Sequence, residues 1–150
     1  MQLAIEESGY GIVNGDGGPF GCIIVRGDEI VGRGHNMVLC NNDPTAHAEV
    51  VAIRDACKNL GTFQLNGCEV YCSCEPCPMC FGAIYWARPL KVFYANTKTD
   101  AASIGFDDQF IYDQLELPHE QRKIPLIPIP FTNAFAVFQK WHNMIDNTLY

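Results

Sequence analysis

Basic residues are scarce in this chain: 10 Lys and Arg stand against 17 Asp and Glu, a formal charge of −7 at pH 7. Proteins that grip nucleic acid rely on Lys and Arg to displace phosphate counterions, so this balance points away from DNA or tRNA and toward a small neutral ligand. Long apolar runs are missing too, and none approaches the ~20 residues a membrane helix needs. The start, Met1-Gln2-Leu3-Ala4-Ile5-Glu6-Glu7, has neither the basic region nor the apolar core of a secretory signal. Cysteine, at 8 residues in 150, falls short of the density of a secreted disulfide scaffold, so a reducing cytoplasm is the expected home. What is present, 48% hydrophobic residues over 150 positions, is the make-up of one globular domain with a single core.

The most informative stretch is Cys72-Ser73-Cys74-Glu75-Pro76-Cys77-Pro78-Met79-Cys80. Two thiols three residues apart share one face of a helix, and proline is favoured at a first helical position because its missing N–H would be unpaired there anyway. Cys77 and Cys80 are therefore expected on a first helical turn, where free N–H groups favour the metal-binding thiolate. Upstream, Thr45-Ala46-His47-Ala48-Glu49 places an imidazole two residues before a carboxylate. On a helix interior these would point apart, but at a helix start all side chains lean toward the same end and converge. Asp43 or Thr45 is the expected cap of that helix. Two helix ends facing one ion give three ligands, His47, Cys77 and Cys80, and leave the fourth position to water, as in a catalytic zinc site. Glu49 then becomes the base beside the water. His-x-Glu followed by Pro-Cys-x-x-Cys is the signature of zinc deaminases. The competing reading is a closed structural site that recruits Cys72 and Cys74, which leaves His47 and Glu49 without a task.

The remaining chain supplies the frame. Leu3, Ala4, Ile5, Tyr10, Ile12 and Val13 read as a short amphipathic helix packing on a sheet, ended by the loop Asn14-Gly15-Asp16-Gly17-Gly18-Pro19. The glycines before Phe20 allow close backbone approach to a ligand and serve equally as a tight connection into a strand. Residues 20–26 and 29–37 form a hairpin about Gly27-Asp28. Asn36, leaving its end, is a candidate for reading a base edge, whereas His35 reads as a solvated strand residue. Val50, Val51, Ile53, Ala56, Cys57 and Leu60 recur at helical spacing, and residues 68–73 and 91–95 read as further strands. That order predicts a sheet with helices on both faces. Trp86 follows the zinc turn and is a packing residue or an aromatic wall for a planar ring. Residues 124–130 carry three prolines and cannot form a central strand, so they read as an extended arm or edge. A last helix, with Phe135, Phe138, Trp141 or His142 and Ile145 in one stripe, must dock on its own core or on a neighbour.

The blocks Gly17-Gly18-Pro19-Phe20-Gly21, residues 42–49, residues 73–80 with residues 82–89, residues 99–102 and Gly105-Phe106-Asp107-Asp108, with the terminal Tyr150, resemble the bacterial guanine deaminases of the cytidine deaminase-like superfamily. The resemblance implies one deaminase domain over residues 1–150, an α/β/α sandwich with a five-stranded mixed sheet, in which residues 124–150 form an arm and helix exchanged between the subunits of a homodimer. It implies one Zn2+ per subunit on His47, Cys77 and Cys80, and Glu49 as proton shuttle. It also implies a purine contacted by Asn36 and Ala48, flanked by Phe20 and Trp86, reached by Asp108 in the partner's site and capped by Tyr150. Guanosine, another aminopurine or a triazine as substrate, a tRNA adenosine, and a non-enzymatic zinc module remain the alternatives.

Overall fold

Two short runs of consecutive apolar residues make two strands, β1 (Gly21–Arg26) and β2 (Glu29–His35), which fold back on each other about Gly27. Gly27 has a φ of 60°, a left-handed conformation that costs glycine nothing because it has no Cβ to clash. β3 (Cys68–Cys74) pairs antiparallel with the other side of β1, and β4 (Lys91–Asn96) runs parallel to β3. The order across the sheet is β2-β1-β3-β4. These coordinates come from a computed structural model that describes residues 1–149; Tyr150, expected over the pocket, lies outside them.

Four strands, not the five expected, make the mixed sheet among the described residues. After β4 the chain turns directly into α5 (Lys98–Ser103) and then α6 (Gln109–Glu116). The next extended stretch holds Pro125, Pro128 and Pro130, which cannot donate ladder hydrogen bonds.

Side chains alternate across the pleat, and this places helices on both faces. Gly21 and His35 face α1 (Gln2–Asn14), whereas their neighbours Gly34 and Gly32 face α3 (Ala48–Leu60). The contact with α3 is close. A Cβ at Gly34 would lie 2.5 Å from the Ala48 carbonyl, and one at Gly32 would lie 2.6 Å from that of Ala52. The buried line on α3 is accordingly Ala48, Ala52 and Ala56, small residues one turn apart. The larger Val50, Val51, Ile53, Cys57 and Leu60 of the expected stripe are half-buried around that line. Cys22, Ile24, Val31, Leu65, Cys68, Val70 and Cys72 complete this core.

The expected helix forms and packs on the sheet as α1, but most of the residues expected to face inward do not, for the same reason. Its Ala4 and Gly11 are buried, whereas Leu3, Ile5, Tyr10, Ile12 and Val13 are exposed. A Cβ at Gly21 would collide with the Ala4 carbonyl, so only small residues fit against the strand.

The chain divides into two compact units, Met1–Gln109 and Phe110–Tyr150. The first holds the sheet, α1, a short α2 (Val38–Asn41), α3, α4 (Pro78–Ala87), β4 and α5. The second comprises most of α6, a 3-10 turn at His119–Gln121, an extended stretch and α7 (Ala134–His142). Within it Arg122 Nε donates to the Leu117 carbonyl and Asn147 Nδ2 to that of Trp141. Ile124, Ile127, Ile129, Phe131, Phe135, Phe138 and Ile145 are all exposed. No helix among the described residues is long and apolar enough to cross a membrane.

Candidate active site

Two helix starts meet here. α3 begins after His47 and α4 after Cys77, and both of these cap residues have extended backbone, with ψ near 155° and 168°. Pro78 occupies the first turn of α4, where its fixed φ suits the helix. The cap of α3 is His47 rather than Asp43 or Thr45. Asp43 Oδ1 instead accepts hydrogen bonds from the Thr45 N–H at 2.8 Å and the Thr45 hydroxyl at 2.7 Å, closing a turn ahead of the helix. His47 Nδ1 consequently lies 3.5 Å from Cys77 Sγ and 3.5 Å from Cys80 Sγ. Glu49, on the same first turn, sets Oε2 3.3 Å from Cys80 Sγ, so residues two apart do share a target at this helix start.

The spacing can be tested against a metal. Zn–S bonds of about 2.3 Å and a Zn–N bond of about 2.0 Å at a tetrahedral angle separate nitrogen from sulfur by about 3.5 Å. The observed separations match. His47, Cys77 and Cys80 are the one His/Cys/Asp/Glu group among the described residues with metal-binding spacing. Cys72 and Cys74 are engaged elsewhere: the Cys72 and Cys22 sulfurs are 4.0 Å apart across β1 and β3, and Cys74 donates to the Thr97 carbonyl. The donor set of one imidazole and two thiols is a zinc set, with room for a fourth, non-protein ligand.

Electrostatics follow from this crowding. The Cys80 thiol and the His47 ring pull the Cys77 thiol down to about 4, the form a metal binds. The Cys80 thiol is pushed up by its hydrogen bond to Cys77, by burial and by Glu49. Burial raises the Glu49 carboxyl, and it is only 8% exposed.

On the substrate side, Met37 N–H donates to the Ala46 carbonyl at 2.9 Å and so holds the end of β2 beside His47. The buried Asn36 side chain accepts through Oδ1 from the N–H groups of Gly18 at 3.3 Å and Val38 at 3.2 Å. Phe20 meets Phe106 edge to face, with ring centroids 5.0 Å apart. Burial and the charge on Cys77 raise the Asp108 carboxyl. Ala48 has its side chain in the core, so any contact it makes with a ligand falls to its backbone. Trp86 is 64% exposed on the last turn of α4.

Two features had escaped the sequence. Phe106 packs on Phe20 because Gly18 leaves the space, since a Cβ there would lie 2.8 Å from the Phe106 ring. His35 is not solvated: its Nε2 stands 2.9 Å from Asp16 Oδ2, and its ring meets Tyr10 edge to face. The loop glycines and the acid between them were the only available signals.

A three-ligand cluster at two facing helix starts, set on a mixed sheet, defines a zinc-binding deaminase fold. Residues 1–96 match the family described as the cytidine and deoxycytidylate deaminase zinc-binding region, and the chain belongs to that family. It is 54% identical over 150 residues to the guanine deaminase of Bacillus subtilis strain 168, covering 100% of this chain and 96% of that one. The X-ray structure of guanine deaminase from Bacillus subtilis superposes with a TM-score of 0.97 at 52% identity, covering 99% of this chain and 95% of that one. The tRNA-specific adenosine deaminase of Aquifex aeolicus strain VF5 is 42% identical over 150 residues, covering 99% of this chain and 95% of the relative.

Proposed function

We propose that this protein is a zinc-dependent guanine deaminase that hydrolyses guanine to xanthine and ammonia. The observation that carries the reading is the buried Glu49 carboxyl, 3.3 Å from Cys80 at the edge of the His47, Cys77 and Cys80 cluster. The full-length likeness to the Bacillus subtilis guanine deaminase supports the choice of ring. His47, Cys77 and Cys80 would hold a zinc ion, which would lower the pKa of a bound water to about 7. Glu49 takes up the proton that this water loses. It passes that proton to purine N3 as the water's oxygen bonds to the amino-bearing C2, then takes the remaining proton from that oxygen and delivers it to the amine as the C2–N bond breaks. One water is consumed for each ammonia released. Asn36 and Asp108 pair with polar edges of the base, and Phe20, backed by Phe106, forms a wall against its face. A site built around such pairs rejects analogues that leave them unmet.

The tRNA-deaminase relative marks the second reading, but a net charge of −7 disfavours a polyanionic substrate. We place the protein in the cytoplasm, where its free cysteines stay reduced. We also read residues 124–150 as an arm exchanged between two copies of the chain, because so many of its apolar residues are exposed.

Ammonia release from guanine, guanosine, adenine, cytidine and a tRNA anticodon arm, with and without chelator, tests the function. Turnover of guanine that chelation abolishes is the expected result. Turnover of the tRNA arm in preference to guanine overturns the reading.

A further inference from the structure

Asn36 bears on the purine only if its amide faces the right way. Its Oδ1 is occupied by two backbone donors, from Gly18 and Val38, while its Nδ2 makes no hydrogen bond among the described residues. The amide is thereby oriented with its oxygen inward and its N–H groups free for a ligand. One of the two donors belongs to a loop with glycine at positions 15, 17 and 18, the residue type that loses most conformational freedom on ordering. Something must hold that loop. A Cβ at Gly17 would run into Asn36 itself, so the loop cannot be stiffened by larger residues at that point.

Asp16 is the tether. Its Oδ2 lies 2.9 Å from His35 Nε2, which carries the proton toward the carboxylate, and its backbone carbonyl accepts the N–H groups of Leu39 and Cys40 at 3.0 and 3.1 Å. His35 is a fixed post. Glu7 Oε2 stands 3.6 Å from its Nδ1, Tyr10 meets the ring edge to face, and a Cβ on Gly11 would come within 2.9 Å of it. Because His35 precedes Asn36 in the chain, the same pair holds both the amide's backbone and the loop that supplies its Gly18 donor.

We propose that Asp16 and His35 are positioning residues that lock the amide of Asn36 for binding the purine base. This deepens the guanine deaminase reading and rests on it for the identity of the ligand. The pair touches neither substrate nor metal ligands, so its loss shows in KM rather than in kcat. Losing the alignment of one hydrogen bond raises KM for guanine about tenfold.

The test uses the full-length, zinc-loaded protein. Asp16→Ala is expected to raise KM with kcat and zinc content unchanged, and to shift or broaden the side-chain NH2 resonances of Asn36. Asp16→Asn, which still accepts from His35, is expected to restore both. In a double-mutant cycle, Asp16→Ala is expected to add nothing to Asn36→Ala, because one acts through the other. His35→Phe keeps a ring against Tyr10 but removes Nε2; it is expected to repeat the loss and decides the matter if Asp16→Ala does not fold. Full additivity with Asn36→Ala, or unaltered KM and Asn36 resonances in both Asp16→Ala and His35→Phe, overturns the latch. If the wild type releases no ammonia from guanine the functional reading fails, and the Asn36 resonances still decide whether the latch exists.

Discussion

At the scale of single residues, the chemistry depends on side chains fixed by short local devices. The capping box of α5 is one of them. The Thr97 hydroxyl accepts the Asp100 N–H, and the Asp100 carboxylate accepts from the Thr97 N–H at 2.8 Å and its hydroxyl at 2.7 Å. These bonds hold the Asp100 carboxyl below its ordinary value. A carboxyl depressed in the folded state stabilises above its unfolded pKa of about 3.9, and that contribution is lost as pH falls through the lowered value. The gap in urea midpoint between wild type and Asp100→Ala is therefore expected at neutral pH and should close on acidification, while Thr97→Ala costs about 1 kcal/mol. The zinc cluster was legible at this scale because a Cys-x-x-Cys after proline and a His-x-Glu at a helix start converge by local geometry alone. The partnership of His35 with Asp16 was not, because 19 residues separate the two and neither carries a spacing signal.

At the scale of elements, close approach of backbone decides which residues face the sheet. Apolar periodicity assumes that large side chains point inward, and it misassigned α1 for that reason. The signal for the true contact was Gly21 read with Ala4 for α1, as the glycines at 32 and 34 read with the alanines at 48, 52 and 56 are for α3. Gly34→Ala is expected to destabilise by about 1–3 kcal/mol through overpacking. Since its new Cβ would press on Ala48, next to His47 and Glu49, it should also lower turnover. Gly32→Ala meets Ala52 a turn further on and is expected to destabilise similarly with a smaller loss of activity. Urea titration and ammonia release on the two variants separate these outcomes. The sheet's four strands show where family likeness exceeded what the residues support, since the prolines after residue 124 already argued against a further ladder strand.

At the scale of the molecule, the exposed apolar residues of α7 and the stretch before it call for a cover. Light scattering is expected to give a particle of twice the chain's 16.7 kDa, and Phe138→Asp to return it toward a single chain. A wild-type protein that stays monomeric at micromolar concentration would contradict the exchanged arm. The central claim is the role of Glu49 beside the three-ligand cluster, and the most direct measurement is zinc content together with guanine turnover in Glu49→Gln. The account predicts one zinc per chain, as in the wild type, with kcat reduced by about 10²–10⁴, the range for loss of a general acid–base group. Turnover of guanine at the wild-type rate would contradict it.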